Sequence, residues 1–169
     1  MNLRAVVIAL VLLQVLALAV VPASADGGDA EGDAPHNAVA AATPGSRFSV
    51  SADKQTVFDH VTGLRWRRAV APQIMTWPVA EAYCASLPAD VPGAVWRLPH
   101  RSELMSLVNR QVKAPTIAHA DFPKTPKNWT WTSSALVAFG GGAYWIVSFE
   151  SGIAGYSGPT GLSYVRCVR

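Results

Sequence analysis

The sequence predicts a small α+β domain in which two helices pack on short antiparallel sheets and one disulfide closes the fold. The segment 96–99, Trp-Arg-Leu-Pro, alternates apolar residues and stops at proline, which is typical of a short strand leading into a helix. Helical patterns flank it, and β-prone runs occupy both ends of the region after residue 45. Cys84 and Cys167 are the only cysteines, and their separation predicts that the C-terminus returns to the first helix.

The first 45 residues are expected to lie outside this domain. Arg4 precedes an apolar run over 5–21, and the Ala-Ser-Ala of 23–25 fits a cleavage site, which together predict a signal peptide over 1–25. A retained anchor helix is the alternative, although the run is short for a bilayer. Residues 26–45 are rich in Ala, Gly, Asp and Pro and predict a flexible acidic linker. The folded domain, 46–169, is therefore expected to be secreted or periplasmic, with no membrane anchor after signal removal.

Export makes the two cysteines informative. An oxidising compartment favours a Cys84–Cys167 disulfide, and two buried free thiols are the alternative. A disulfide that closes a loop of about 80 residues would stabilise the fold by roughly 4–5 kcal/mol, because it restricts the unfolded chain. With one cysteine pair and few histidines, we expect no metal site.

The first half of the domain predicts a hairpin, a third strand and a helix. The β-prone runs 48–51 and 56–59 precede a strand over 64–68, where alternation places Trp66 on the buried face. A helix over 77–87 follows, with Thr76 as its cap and a proline tolerated in its first turn. Its buried stripe has helical spacing. The stripe consists of Ala80, Tyr83, Cys84 and Leu87.

The second half predicts a helix, a long loop and four strands. The helix covers 101–110 and buries Leu104, Leu107 and Val108. Residues 113–128 are dotted with proline and predict a surface loop of a length that often carries binding functions. Strands are predicted over 129–134, 143–149, 153–156 and 164–169.

Several motifs of the chain, taken in order, resemble the C-terminal domain family of the Legionella collagen-like adhesin. They are Asp59-x-x-Thr62-Gly63-Leu64-x-Trp66, Trp77-x-x-Ala80-x-x-Tyr83-Cys84, Trp96-Arg97-Leu98-Pro99-x-x-x-Glu103-Leu104, Trp131-Thr132-Ser133-Ser134 and Val165-Arg166-Cys167-Val168-Arg169. The resemblance implies a compact C-type-lectin-like domain whose N- and C-terminal strands pair and whose disulfide joins the first helix to the last strand. It also implies adhesion through sulfated glycans. This chain differs in lacking a Gly-x-y stalk and in having His100 where a capping residue often begins the second helix, so we expect no capping box there.

The charge of the folded part favours an anionic partner. It has 13 basic and 7 acidic side chains, a net charge of +6. We expect no nucleic acid partner. The leading hypothesis is a non-catalytic module that binds anionic glycan or a cell-envelope polymer. The alternative is a protein–protein interaction subunit of a surface appendage or of a secretion or envelope complex.

Catalysis and calcium binding find little support in the sequence. The histidines lie in no hydrolase, phosphotransfer or cofactor motif, and residues 129–169 contain one acid, too few for a lectin-type calcium site. We therefore expect no catalytic residues and no cofactor, with an envelope hydrolase as a third possibility. Guanidinium groups bind sulfate and carboxylate, and aromatic rings stack on sugars. On this basis the predicted ligand contacts are Arg65, Arg67, Arg101, Lys124, Lys127, Trp129 and Tyr156.

Overall fold

Two three-stranded antiparallel sheets and two helices make up residues 45–137 and 142–169, which the computed structural model describes. The predicted signal peptide, 1–25, and all but the last residue of the predicted linker, 26–45, lie outside the described residues. In the described ranges no helix has the length and apolarity needed to cross a membrane.

The first sheet confirms the predicted hairpin and third strand. Strands β1 (Phe48–Val50), β2 (Thr56–Asp59) and β3 (Arg65–Arg67) lie in that order. Val57 pairs with Trp66, and both side chains are completely buried. The predicted alternation of β3 is therefore correct, although the strand is shorter than 64–68.

Helix α1 covers Trp77–Ser86, close to the prediction. Its buried residues are Ala80 and Cys84, whereas the other two members of the predicted stripe are half-buried. Thr76 occupies the position before the helix, but its side chain makes no capping hydrogen bond, so this part of the prediction is wrong.

Helix α2 covers Arg101–Ser106 and ends well before the predicted residue 110. The N–H of Leu107 bonds the carbonyl three residues back, and the N–H of Asn109 donates to Thr116 O at 2.8 Å. The helix thus ends where the N–H of Asn109 bonds a carbonyl of the following loop instead of one in the preceding turn. The expected absence of a capping box is also wrong, since the Glu103 carboxylate accepts the backbone N–H of His100 at 2.7 Å.

The second sheet consists of β4 (Trp129–Leu136), β5 (Ala143–Ser148) and β6 (Ile153–Ser157) in that order. All three strands were predicted at nearly these positions. The β4–β5 register shifts between Trp131 and Ala135. The predicted loop 113–128 contains no helix or strand, yet it buries Ile117 and Phe122.

The C-terminal segment bridges the two sheets. Tyr164 forms a bridge with Thr130 of β4, and Val168 forms bridges with Trp66 of β3 and with Arg97. Because the segment changes partners within a few residues, the predicted strands 96–99 and 164–169 are single bridges instead of continuous ladders. The segment joins the first sheet at β3, so the implied pairing of the terminal strands with each other is wrong.

The predicted disulfide is confirmed. Cys84 and Cys167 are bonded, with their Cα atoms 5.6 Å apart, and the alternative of free thiols is wrong. The bond lies in one of two apolar clusters, beside Trp96 and Trp131. The other cluster packs Trp66 with side chains of α2, β5 and the long loop. These findings support a compact α+β domain.

Candidate anion-binding site

A cleft of about 540 Å³ opens between the segment that follows β3 and the end of the long loop. Three cationic side chains line it: Lys54, Arg68 and Lys124. Gln55, Tyr164 and small apolar residues complete the lining, which contains no acidic side chain and no histidine. We call this feature the basic cleft. Such a concentration of one sign of charge attracts anions.

Lys54 and Lys124 share an unusual backbone conformation. Their φ angles are 59° and 56°, and no other non-glycine residue of the described ranges has a positive φ. The left-handed conformation costs a residue with a side chain about 1–2 kcal/mol. Strained residues of this kind are held in place by the surrounding structure, and they cluster at ligand-binding and active sites. Both lysines are exposed and both line the basic cleft.

Arg68 links the two sides of the cleft through hydrogen bonds to the long loop. Its Nε donates to the carbonyl of Asp121 and its Nη2 to the carbonyl of Ala120, each at 3.1 Å. Within the described ranges its Nη1 donates no hydrogen bond. The side chain is thereby fixed while one of its nitrogens stays available to a ligand.

A buried arginine links both sides of the cleft from inside the domain. Nη1 of Arg166 donates to the carbonyls of Arg67 and Arg68 at 2.7 and 2.6 Å, and its Nη2 donates to Oγ1 of Thr125 at 2.8 Å. The residue is completely buried and has no acidic partner in the described part of the chain. Burial lowers the pKa of Arg166 to about 9. Its cation also lies 5.0 Å from the ring centroid of Phe122.

A larger cleft, of about 650 Å³, lies beside α2 but offers less to an anion. Its two arginines are Arg47 and Arg110. Arg47 is paired with Asp59 through two hydrogen bonds of 3.0 and 2.6 Å, and Arg110 donates to Gly152 O. The ion pair with Asp59 neutralises Arg47, which leaves one cation in this lining against three in the basic cleft, so the basic cleft is the better candidate.

The model of one protein family, described as the Lcl C-terminal domain, matches residues 55–169. The chain belongs to this family. The match includes both cysteines and all the lining of the basic cleft except Lys54. Membership relates this Lcl C-terminal domain to adhesin-type surface domains. No curated protein matches the chain significantly.

Of the predicted ligand contacts in this Lcl C-terminal domain, only Lys124 lines the basic cleft. Arg65 donates to Oγ1 of Thr56 at 3.2 Å and lies over the ring of Phe58. Lys127 is exposed but does not line the cleft. Trp129 is half-buried and packs against the core around the disulfide.

Arg67 lies beside a different groove, which contains both signs of charge. Its guanidinium is 5.6 Å from the ring centroid of Trp96, and that of Arg169 lies near the same ring at 4.9 Å. The groove also includes Asp53 and Asp90. Because these carboxylates offset the positive charge, the groove attracts anions less than the basic cleft does.

The remaining two predicted contacts are Arg101, at the start of α2, and Tyr156, on β6 of the second sheet. Arg101 lies over the ring of Trp145, and Tyr156 is directly opposite Trp145 in the β5–β6 register. They share no residue with the basic cleft.

No sequence pattern marked Lys54, Arg68 or Tyr164 as site residues. Lys54 lies in an ordinary polar turn, and its left-handed φ has no sequence marker of the kind that glycine provides. Lys124 was predicted as a ligand contact, and Arg166 was noted only as part of the C-terminal motif, which did not reveal its burial. In the described ranges no three His, Cys, Asp or Glu side chains are placed to hold a metal ion.

Proposed function

We propose that this domain is a non-catalytic recognition module, exported to the periplasm or the cell surface, that binds an anionic polysaccharide or cell-envelope polymer in the basic cleft. The single observation that carries the proposal is the cleft itself, with three cations and no acidic side chain in its lining. Family membership agrees with it, since it relates the chain to adhesin-type domains. A C-type-lectin-like ancestry of the fold is part of the same proposal.

The composition of the cleft supports binding over catalysis. A general base or nucleophile with an orienting partner is the minimum for hydrolysis, and the lining provides neither a carboxylate nor an imidazole. Tyr164 and the apolar residues give a ligand surface to pack on, while the two lysines supply charge without fixed direction. Such a site suits a polymer that presents sulfate, phosphate or carboxylate groups repeatedly.

The test compares two double variants of the full chain that lose the same charge. K54A/K124A removes both cleft lysines, and K113A/K127A removes two exposed lysines outside the cleft. Dextran sulfate is the probe, since it is densely anionic, and calorimetry gives the affinity at two salt concentrations. We expect K54A/K124A to weaken binding about tenfold, as two exposed charge contacts would, and wild-type binding to fall with rising salt.

The control decides between the cleft and a general charge effect. K113A/K127A should bind nearly as the wild type does. An equal loss in both double variants, or no binding by the wild type, would overturn the proposal. Circular dichroism of each variant confirms that the fold is intact.

A further inference from the structure

A second group of residues, where the start of α2 meets strands β5 and β6, has the chemistry of a binding site. It consists of Arg101, Trp145 and Tyr156, and we call it the Arg101 platform. The guanidinium carbon of Arg101 lies 4.3 Å from the ring centroid of Trp145, which is the shortest cation–ring distance among the described residues. Arg101 is exposed and Trp145 half-buried. Stacking on an indole holds a guanidinium in place without using its hydrogen-bond donors.

Three strands and one helix fix this arrangement. The backbone N–H of Arg101 donates to Oγ of Ser134 on β4 at 2.9 Å, which anchors the start of α2 on the sheet. Oγ1 of Thr132 donates to the carbonyl of Trp145 at 2.7 Å, in addition to the β-ladder. Tyr156 of β6 is the cross-strand partner of Trp145. Directly opposite residues lie on one face of a sheet about 4.5–5.5 Å apart, so the tyrosine adjoins the stacked pair.

The donors of Arg101 have no acceptor within the described ranges. Its side chain forms no hydrogen bond and no ion pair there, and only its backbone N–H is engaged. The preceding arginine, Arg97, differs because its guanidinium donates to both carboxylate oxygens of Glu103, at 2.8 and 2.7 Å. The stacked guanidinium of Arg101 thus presents a fixed fork of N–H groups to solvent.

We propose that the Arg101 platform binds a uronic acid residue, with the sugar carboxylate on Arg101 and the pyranose ring against Tyr156. A planar carboxylate matches the fork through two parallel hydrogen bonds. Tyr156 is 60% exposed, an unusual exposure for an aromatic ring, and it offers a ring face to sugar C–H groups and a hydroxyl to a sugar oxygen. A uronic acid carries its carboxylate directly on a rigid ring whose C–H groups can pack on Tyr156, whereas the carboxylate of an acidic peptide is on a flexible side chain, so the sugar is the better match.

This site goes beyond the proposed function of the basic cleft. The two sites share no residue, and they differ in chemistry: flexible lysines in one, a pre-positioned fork and an aromatic ring in the other. Pre-positioning reduces the entropy lost on binding, so the platform is expected to select for ligand geometry more than for charge density.

The experiment uses the full chain and oligogalacturonate, which carries carboxylates and no sulfate. Binding is followed by the NMR signals of the Trp145 indole N–H and the Arg101 Nε–H, with affinity from the titration. R101K retains the positive charge and loses the planar fork, and R110K makes the same change at another exposed arginine. Y156A removes the exposed ring, and K54A/K124A alters only the basic cleft.

We expect oligogalacturonate to shift the Arg101 and Trp145 signals, and R101K and Y156A each to weaken binding about tenfold. R110K should bind as the wild type does, and K54A/K124A should leave the shifts of the Arg101 and Trp145 signals unchanged, since the two sites share no residue. The proposal is overturned if the two signals do not move, if R101K and R110K behave alike, or if an acidic peptide moves the signals and the oligosaccharide does not. Dextran sulfate binding by the same variants reports on the basic cleft separately, so either site can fail alone.

Discussion

Arg166 and Thr125 are joined by a hydrogen bond of 2.8 Å between the guanidinium and the hydroxyl, inside the core next to the basic cleft. The same guanidinium donates to the carbonyls of Arg67 and Arg68. One buried side chain therefore connects the segment after β3 with the end of the long loop. A buried cation without a carboxylate is costly. Its hydrogen bonds to three oxygens offset part of that cost, and they also set the separation of the cleft's two sides.

Replacing Arg166 is expected to reduce both stability and ligand binding. R166M leaves the carbonyls of Arg67 and Arg68 without these donors, and the loss should be about 1–3 kcal/mol, since removal of the buried charge compensates in part. R166K should be at least as damaging, because a buried ammonium cannot reach all three oxygens in the geometry of the fork. Urea unfolding gives the free energy.

T125V is the matched control for this position, since it retains the arginine and removes only the bond from Arg166 to the hydroxyl and the bond from that hydroxyl to Phe122 O. We expect it to cost about 1 kcal/mol and to weaken dextran sulfate binding less than R166M does. Full stability in R166M would show that the three hydrogen bonds contribute nothing net.

The disulfide should provide a large share of the domain's stability. It joins residues 83 positions apart. We therefore expect C84A/C167A to lose about 4 kcal/mol of unfolding free energy. Urea unfolding without reductant measures the loss, and reduced wild-type protein should unfold close to the double variant. A urea midpoint unchanged by the double substitution would contradict this expectation.

The strained lysines are expected to show opposite effects on stability and binding. At φ angles of 59° and 56°, glycine relieves the side-chain clash, so K54G and K124G should each stabilise the fold by about 0.5–1 kcal/mol. Each should also weaken dextran sulfate binding, because a cleft charge is lost. K127G removes a charge outside the cleft and is expected to be slightly destabilising with little effect on binding. Destabilisation by both K54G and K124G would show that the backbone there is not strained.

Acid should destabilise the domain through two carboxylates. Burial by itself raises the pKa of Asp59, but hydrogen bonds from Arg47 and from the N–H of Val61 outweigh it and hold that pKa below its usual value. Burial by itself likewise raises the pKa of Glu103, but hydrogen bonds from Arg97 and from the N–H of His100 outweigh it and hold that pKa below its usual value. A carboxyl whose pKa is lowered by folding stabilises the protein above its ordinary pKa, near 4, and that stability is lost as pH falls through the folded value.

We therefore expect the urea midpoint to be nearly constant from pH 7 to 5 and to decline below about pH 4. D59N should be about 2–4 kcal/mol less stable than the wild type at pH 7 and should decline less on acidification. E81Q, which changes an exposed glutamate of α1, serves as the control and should follow the wild-type curve. The prediction fails if D59N and the wild type lose stability in parallel below pH 4.

Local patterns were enough to predict the six strands of the two sheets, the two helix starts and the disulfide, but not that 96–99 and 164–169 form only single bridges. Alternation identified Trp66 as buried, and helical spacing placed Cys84 on the core face of α1. These predictions need only neighbouring residues, because the spacing of apolar residues within a segment shows which of its faces will be buried. The family match over residues 55–169 contains every helix and strand of the described ranges except β1.

Tertiary structure alone decided where α2 ends and which residues form the sites. Asn109 leaves the helix for a hydrogen bond to Thr116, and Val168 divides its bonds between β3 and Arg97. The basic cleft likewise joins Lys54 to Lys124, and the Arg101 platform joins α2 to β5. Such contacts depend on how distant segments pack and on which polar groups still lack a hydrogen-bond partner. The spacing of residues along the chain contains no information on these two points.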